Sequence, residues 1–204
     1  MTARAAAVDK RRLILESAVR VFARQGFHTC RVSDIADEAG VAYGLVYHYF
    51  QSKDQILDTL FLERWEVLLR AIREVDAEDD MAARDKLRRI ASFIVESYKH
   101  DPELMQVIIV EVTRAASTFG RTHLATIREA YDLIAEIVRS AQAKGEFRTD
   151  ITPEFAALAF YGAIEQVLTG WIFELLPASE GDLEGATDLI VETIYGGLRL
   201  NGGG

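Results

Sequence analysis

Cysteine and proline are scarce in this 204-residue chain. The single cysteine, Cys30, cannot form an internal disulfide bond, which indicates a reducing compartment. We interpret Cys30 as a small apolar core residue, and a redox-sensing thiol is the less favoured alternative. Only three prolines interrupt the chain, and this scarcity favours long helices.

Long hydrophobic runs are also missing. No apolar stretch reaches the roughly 18 to 20 residues that cross a bilayer, and residues 1–8 lack the apolar core of a signal peptide. We therefore expect a cytoplasmic protein. Half of the residues are hydrophobic, which is enough for a substantial core in one ordinary domain or two small ones.

The net charge of −9 is unevenly distributed along the chain. Residues 1–55 hold eight Lys/Arg and six Asp/Glu, whereas residues 56–204 hold fifteen and twenty-six. An acidic C-terminal part would repel nucleic acid and restrict its binding to the N-terminal part. The excess of two positive charges is small, so it carries little weight alone.

The sequence shows no enzyme pattern. There is no Gly-rich phosphate loop, no histidine pair at metal-ligand spacing, and no carboxylate pair that stands out from the many on predicted solvated faces. We therefore predict no catalytic residues, no metal site and no cofactor.

The stretch from Val32 to Phe50 predicts two short helices joined by a tight turn. Gly40 lies where the first helix must end, and glycine readily takes the left-handed conformation of such a stop. Each helix has an inward apolar face, formed by Ile35, Ala36 and Ala39 on the first and by Val46 and Phe50 on the second. This layout is typical of a DNA-binding helix-turn-helix, and an ordinary helical hairpin is the alternative.

Residues 9–60 resemble the N-terminal domain of the TetR family of bacterial repressors. The matching motifs are Phe22 with Gly26-Phe27, Val32-x-Asp34-Ile35-Ala36, Ala39-Gly40-Val41, Tyr47-His48-Tyr49-Phe50-x-Ser52-Lys53, and Leu57. The resemblance implies an all-α protein with a three-helix DNA-binding domain over residues 1–52 and a helical-bundle domain for ligand binding and dimerisation over residues 53–204. We expect a mobile arm over residues 1–8 and a linking helix over residues 53–75.

The resemblance also implies which residues contact DNA. The positions that hold the phosphate backbone correspond here to Tyr47, Tyr49 and Lys53, and His48 adjoins them. The positions that face base edges correspond to Ser33, Tyr43, Gly44 and Leu45. Arg31 stands where a threonine cap is common, and it offers a phosphate contact instead. Core packing is the alternative for Tyr47 and Tyr49.

Two mainly apolar helices are predicted near the C-terminus, over residues 154–176 and 186–200. Such helices can pair with their copies in a second subunit to form a four-helix interface. The alternative is that they only close the core of their own subunit. We favour the homodimer because a palindromic operator requires a two-fold dimer.

The later part of the chain resembles FadR-type fatty-acid-degradation regulators, which respond to long-chain acyl-CoA. The resemblance rests on residues 104–114 and 159–166. It implies an apolar tunnel, and the candidate lining residues are Phe93, Met105, Ile108, Val112, Tyr161 and Trp171. Candidate cations for the CoA phosphates are Arg114 and Arg121, with Arg88, Arg89 and Arg128 as further ones. Ordinary core packing and surface ion pairs are the alternatives.

Together these features predict a repressor that binds a palindromic DNA operator as a homodimer and is released by a long-chain acyl-CoA effector. The alternative is a TetR-type regulator of an efflux pump, whose cationic or aromatic ligand would meet Glu111 or Glu165 and aromatic side chains. A protein-interaction module or an enzyme on this fold is a third class.

Overall fold

The computed structural model describes residues 3–114 and 123–199. The helices in these ranges are α1 (Ala3–Gln25), α2 (Val32–Ala39), α3 (Tyr43–Tyr49), α4 (Lys53–Asp76), α5 (Ala83–His100), α6 (Pro102–Arg114), α7 (Leu124–Ala143), α8 (Pro153–Ile172) and α9 (Glu180–Leu198). One antiparallel bridge joins Phe147 and Arg199. The predicted all-α fold is confirmed.

The chain forms two compact units. The first contains α1 to α3, α4 as far as Arg64, and α6, and we call it the head unit. The second contains α4 from Trp65 onward, α5, and α7 to α9. α4 therefore contributes to both units, and α6 belongs to the head unit.

A single apolar core holds the head unit together. Phe22 of α1, Val46 of α3 and Ile56 of α4 are almost fully buried in it. Val107 of α6 is 1% exposed in the same core, and the side-chain amide of Gln106 donates to the carbonyl of Ala23 at 3.4 Å. Val107 of α6 therefore belongs to the core of the head unit, and Leu104 packs against it.

Two helix starts in the head unit bear on the sequence predictions. α1 begins at Ala3, inside the segment expected to be an arm. At the start of α4, the sequence Ser52-Lys53-Asp54-Gln55 has the pattern of a capping box, and the Ser52 hydroxyl accepts from the Gln55 amide at 3.1 Å, as this pattern predicts. The Gln55 side chain accepts from the Gln51 amide at 2.5 Å, one residue earlier than the capping box predicts.

The second unit is built around α5, α7 and α8. The inward faces of these helices are mainly apolar, with Ala91, Ile134 and Ala157 each 0% exposed. The exception is Lys86 of α5, which is 8% exposed and donates to the carbonyl of Asp76 at 2.7 Å. Two ion pairs tie α5 to α9, one between Arg84 and Glu192 and one between Arg88 and Asp188. α9 begins at Glu180, earlier than the predicted start at residue 186, because the Ser179 hydroxyl and the Asp182 carboxylate form a capping box.

Helix α8 is the most apolar element. By length and composition alone it could cross a membrane, with a mean hydropathy of 1.3 in an 18-residue window that is 39% buried in this structure. That result departs from the expectation of no such run, although core helices of soluble proteins meet the same criterion. At its end, a Cβ atom on Gly170 would lie 2.7 Å from the Cδ1 atom of Leu176, so the half-exposed Leu176 side chain would have to move to make room for it.

Candidate DNA interface and ligand-binding residues

The turn between α2 and α3 has the predicted left-handed stop. Gly40 has φ 61° and ψ 37°, and its amide donates to the carbonyl of Asp37 at 3.1 Å. The amide of Val41 donates to the carbonyl of Ala36 at 3.0 Å, and its side chain packs against the core of the head unit. These bonds provide donors for two carbonyl groups in the last turn of α2, and they fix the direction in which the chain continues into α3.

Helix α3 is anchored on one side and open on the other. Val46 is 0% exposed and Phe50 is 3% exposed, so both lie in the core of the head unit, as predicted. Tyr43 and Tyr47 remain 53% and 43% exposed. Gly44 and His48 are exposed as well, whereas Leu45 and Tyr49 are half-buried. The face of α3 opposite Val46 therefore carries most of the predicted DNA contacts.

The two exposed tyrosines of α3 are paired. The Tyr43 hydroxyl donates to the Tyr47 hydroxyl at 3.1 Å, and the ring centroids lie 5.0 Å apart at 65°. This hydrogen bond raises the pKa of the Tyr43 hydroxyl above its usual value near 10. Tyr49 packs instead against the head-unit core, and its ring contacts His48 at 5.1 Å.

Arg31 and Ser33 lie at the start of α2. The Arg31 amide donates to the Asp34 carboxylate at 2.7 Å, so Asp34 caps the helix that lacks a threonine cap. The Arg31 side chain is exposed, and Ser33 is half-buried. Sequence reasoning did not assign the cap to Asp34, although its position three residues after Arg31 was the available signal.

Lys53, which the family resemblance assigns to the phosphate backbone of DNA, forms contacts within the protein. Its ammonium group donates to the carbonyls of Phe27 and Cys30, the latter at 2.9 Å. It also lies 4.5 Å from the centre of the Phe27 ring. The lysine at the start of α4 therefore fastens the loop between α1 and α2, a role that sequence reasoning missed.

The predicted ligand-lining residues fall in two groups. Met105 and Ile108 are buried on α6 in the head unit, whereas Phe93, Tyr161 and Trp171 belong to the second unit. The side chains of Val112 and Arg114 and the whole of Arg121 lie outside the described residues, as does the Glu111 side chain. The described candidate ligand residues are therefore divided between the two units.

Phe93 lines a cavity of about 360 Å³ in the second unit. The apolar wall comes from α4 and α5 and is formed by Leu68, Ala71, Ile72, Val75, Ile90 and Phe93. The other residues that line the cavity are Glu74, Glu78, Arg89 and Ser92. The Arg89 guanidinium donates to the Glu78 carboxylate at 2.6 Å. Neither Tyr161 nor Trp171 lines this cavity.

Tyr161 and Trp171 contribute to aromatic contacts in the same unit. The Tyr161 ring lies 5.3 Å from Tyr131 and 6.0 Å from Trp65, and Trp171 lies 5.5 Å from Tyr98. Burial, with a smaller contribution from the Glu165 charge, raises the pKa of Tyr131.

The candidate arginines of the second unit differ in their surroundings. Arg88 donates to both oxygens of Asp188, at 2.6 and 3.1 Å, and this bond lowers the pKa of the Asp188 carboxyl. Arg89 is held by Glu78 at the cavity. Arg128 is exposed on α7. Two of the three described candidates are therefore engaged in ion pairs.

An anchored helix with an open polar face, held at a fixed angle to a preceding short helix, defines a helix-turn-helix DNA-binding domain. Residues 14–60 match the family described as "Bacterial regulatory proteins, tetR family". Residues 84–194 match the "Tetracyclin repressor-like, C-terminal domain". The chain belongs to the TetR family of transcriptional regulators, whose members are not enzymes.

Several relatives are fatty-acid regulators. The "Fatty acid metabolism regulator protein" of Bacillus subtilis is 27% identical over 187 residues, which cover 91% of this chain and 94% of that protein. The structure of the fatty acid degradation regulator FadR from Bacillus halodurans aligns with a TM-score of 0.83 at 26% identity, covering 94% of this chain and 97% of that one. FadR from Bacillus subtilis in complex with stearoyl-CoA aligns with a TM-score of 0.80 at 25% identity, covering 92% and 98%. The chain is thus similar to FadR-type regulators along nearly its whole length.

Proposed function

We propose that this protein is a cytoplasmic transcriptional repressor that binds a palindromic operator as a homodimer, with α3 of each subunit in a major groove. The main support is the anchoring of α3 through Val46, which leaves Tyr43, Gly44, Tyr47 and His48 on one exposed face. Tyrosine hydroxyls and an imidazole can contact phosphates, and Gly44 permits close approach to base edges.

Exposed apolar residues on the last two helices support the homodimer. Phe155 and Leu158 of α8 are 65% and 55% exposed, and Leu189 of α9 is 70% exposed. Gly162 and Gly196 have open space where a side chain would stand, so the backbone there is free to approach another surface. Large exposed apolar side chains beside open glycines favour helix packing against a second copy.

We propose a long-chain acyl-CoA as the effector. The support is the similarity to FadR-type regulators, one of which has been solved with stearoyl-CoA. Within this chain, α4 passes from the head unit into the second unit, and α6 contributes Leu104 and Val107 to the head-unit core. A ligand that prefers one arrangement of α4 or α6 would shift the head units between binding and non-binding spacings.

A cationic or aromatic effector, as in a regulator of an efflux pump, is the second candidate. Glu165 is half-buried on the same helix as Tyr161 and contributes to the raised pKa of Tyr131. Two carboxylates, Glu74 and Glu78, line the described cavity with a single arginine. Aromatic rings and excess negative charge are the features that organic cations prefer.

Selection from a random duplex pool tests the DNA assignment. The wild-type protein should enrich an inverted repeat whose half-sites are about one or two helical turns apart. Enrichment of no sequence, even at low salt, would contradict the proposal. The selected duplex then serves as the probe for the effector.

Effector titrations use three matched compounds: stearoyl-CoA below its micellar concentration, CoA, and stearate. Release of the duplex by stearoyl-CoA alone supports the acyl-CoA proposal, because only this compound joins an apolar chain to phosphates. Tetraphenylphosphonium, an apolar cation, tests the second candidate in the same assay. Release by the cation and not by stearoyl-CoA would reverse the order of the two candidates.

A further inference from the structure

The two exposed tyrosines on α3 contact each other through both their hydroxyl groups and their rings. Tyr43 and Tyr47 are one helical turn apart, and their hydroxyl oxygens lie 3.1 Å apart. Their rings also meet edge to face at 5.0 Å. Both residues are among the predicted DNA contacts, one for a base edge and the other for the phosphate backbone. Their mutual bond therefore limits what each can offer to DNA.

The number of hydrogen bonds that each tyrosine hydroxyl can donate sets this limit. A tyrosine hydroxyl has one hydrogen to donate and lone pairs that can accept. With Tyr43 assigned as the donor, its hydrogen is engaged by Tyr47 as long as the pair is intact, and phosphate oxygens can only accept. Tyr47 accepts from Tyr43 and keeps its own hydrogen available. A hydroxyl that accepts a hydrogen bond becomes a better donor, because neighbouring bonds polarise one another.

We propose that Tyr43 is a positioning residue for the phosphate contact of Tyr47, and not an independent reader of a base. The Tyr43 hydroxyl orients the Tyr47 hydroxyl and polarises it toward a phosphate oxygen, while the ring contact holds both side chains in place. This inference rests on the proposed DNA-binding function. It assigns to Tyr43 a different role from the base contact that the family resemblance implies.

A double-mutant cycle on the selected duplex tests the proposal, with the variants Tyr43→Phe, Tyr47→Phe and both together. Phenylalanine keeps the rings and removes only the hydroxyls, and both sites are exposed, so the variants should fold and melt as the wild type does. Tyr43→Phe and Tyr47→Phe should each weaken binding roughly threefold to tenfold, the range for one hydrogen bond. The double variant should bind no more weakly than Tyr47→Phe alone.

Base specificity and salt dependence provide the readouts that separate a positioning role from base reading. Tyr43→Phe should weaken the operator and its single-base variants by the same factor, because a phosphate contact carries no sequence information. The dependence of affinity on salt should not change, since no charge is removed. Tyr49→Phe, on the same helix, is the matched control, and its effect should add to that of Tyr43→Phe.

Two results would overturn the proposal. One is an effect of Tyr43→Phe that persists unchanged in the Tyr47→Phe background, and the other is a loss confined to one base pair of the half-site. Failure of the wild-type protein to select any duplex would instead contradict the proposed DNA function. The two failures are thus distinguished by the behaviour of the wild type.

Discussion

The ammonium group of Lys53 and the backbone carbonyl of Cys30 are joined by a hydrogen bond of 2.9 Å. The residues are 23 positions apart, so this bond connects the start of α4 to the end of the loop between α1 and α2. The same ammonium group bonds to the carbonyl of Phe27 and lies over its ring. Lys53 therefore has a structural role in the head unit that is independent of any contact with DNA.

Replacing Lys53 by methionine should destabilise the head unit. The side chain would keep its apolar length over Phe27 but leave two backbone carbonyls without their charged donor. We expect a loss of about 1–3 kcal/mol in the free energy of unfolding, measured by urea denaturation. Lys10→Met, at an exposed lysine of α1, is the control and should change stability little.

The salt dependence of DNA binding by Lys53→Met distinguishes two roles of Lys53. One is to fasten the loop between α1 and α2, and the other is the phosphate contact implied by the family resemblance. If Lys53 only fastens the loop, affinity falls without a change in the slope of log affinity against log salt. A slope smaller by about 1 would show that its charge also neutralises a phosphate.

Glu38 should make the stability of the head unit sensitive to acid. Its carboxylate accepts from Arg20 at 2.8 Å and from Arg24 at 3.0 Å, which lowers its pKa below the usual 4.5. A lowered pKa contributes stability that is present above pH 4.5 and lost as the pH falls through the lowered value.

The variant Glu38→Gln removes this contribution. Its melting temperature should lie below that of the wild type at pH 6, and the two should converge as the pH falls through the lowered pKa of Glu38. Glu16→Gln is the control, because the Glu16 carboxylate pairs with Arg12 at 3.5 Å and both side chains are more than half exposed. A constant difference between wild type and Glu38→Gln over this pH range would contradict the assignment.

Two glycines of the helix-turn-helix should respond to alanine in opposite directions. Gly40 has φ 61°, so alanine there is strained by about 1 kcal/mol or more even though its side chain would meet nothing within 4 Å. Gly44 lies inside α3 with equally open space, so alanine should raise the helix propensity by up to about 1 kcal/mol. Denaturant unfolding of both variants measures this difference.

Gly44→Ala should have opposite effects on the stability of the free protein and on its affinity for DNA. Gly44→Ala should weaken operator binding while stabilising the free protein, because a methyl group would intrude where the backbone approaches the base edges. Unchanged or tighter operator binding by Gly44→Ala would show that α3 does not approach DNA through this residue.

A charge at the exposed apolar surface of α9 should dissociate the proposed homodimer. Leu189→Glu places a carboxylate at a position that is 70% exposed in the single chain. Burying it in an apolar interface would weaken dimerisation on the order of tenfold or more, measured by analytical ultracentrifugation. Leu124→Glu, at a leucine of α7 with 52% exposure, is the matched control. Equal effects of both changes would place the interface elsewhere.

The sequence was sufficient to predict the helix-turn-helix and its buried face. Gly40 marks the stop of α2 because few other residues take a left-handed conformation, and Val46 and Phe50 face inward because of their spacing of four. The bond from the Gln55 amide to the Ser52 hydroxyl could be predicted for the same reason, since each of these signals lies within a few residues of chain.

Contacts between distant residues could not be predicted in this way. The apolar pattern of α6 did not indicate that Val107 packs in the core of the head unit. An apolar stripe shows that a helix face is buried but does not specify its partner. The start of α9 was also placed too late, because Gly181 and Gly185 resemble a loop whereas Ser179 and Asp182 cap a helix.

What the sequence determined by itself is local: the all-α fold, the turn at Gly40, the inward face of α3 and membership of the TetR family. Tertiary structure alone decided that Lys53 fastens the loop at Phe27 and Cys30, that α6 joins the head unit, and that Arg88 is held by Asp188. The physical reason is that local signals depend on backbone geometry within a turn or two of chain. The partner of a long polar side chain, or of an apolar helix face, depends instead on which distant segments folding brings together.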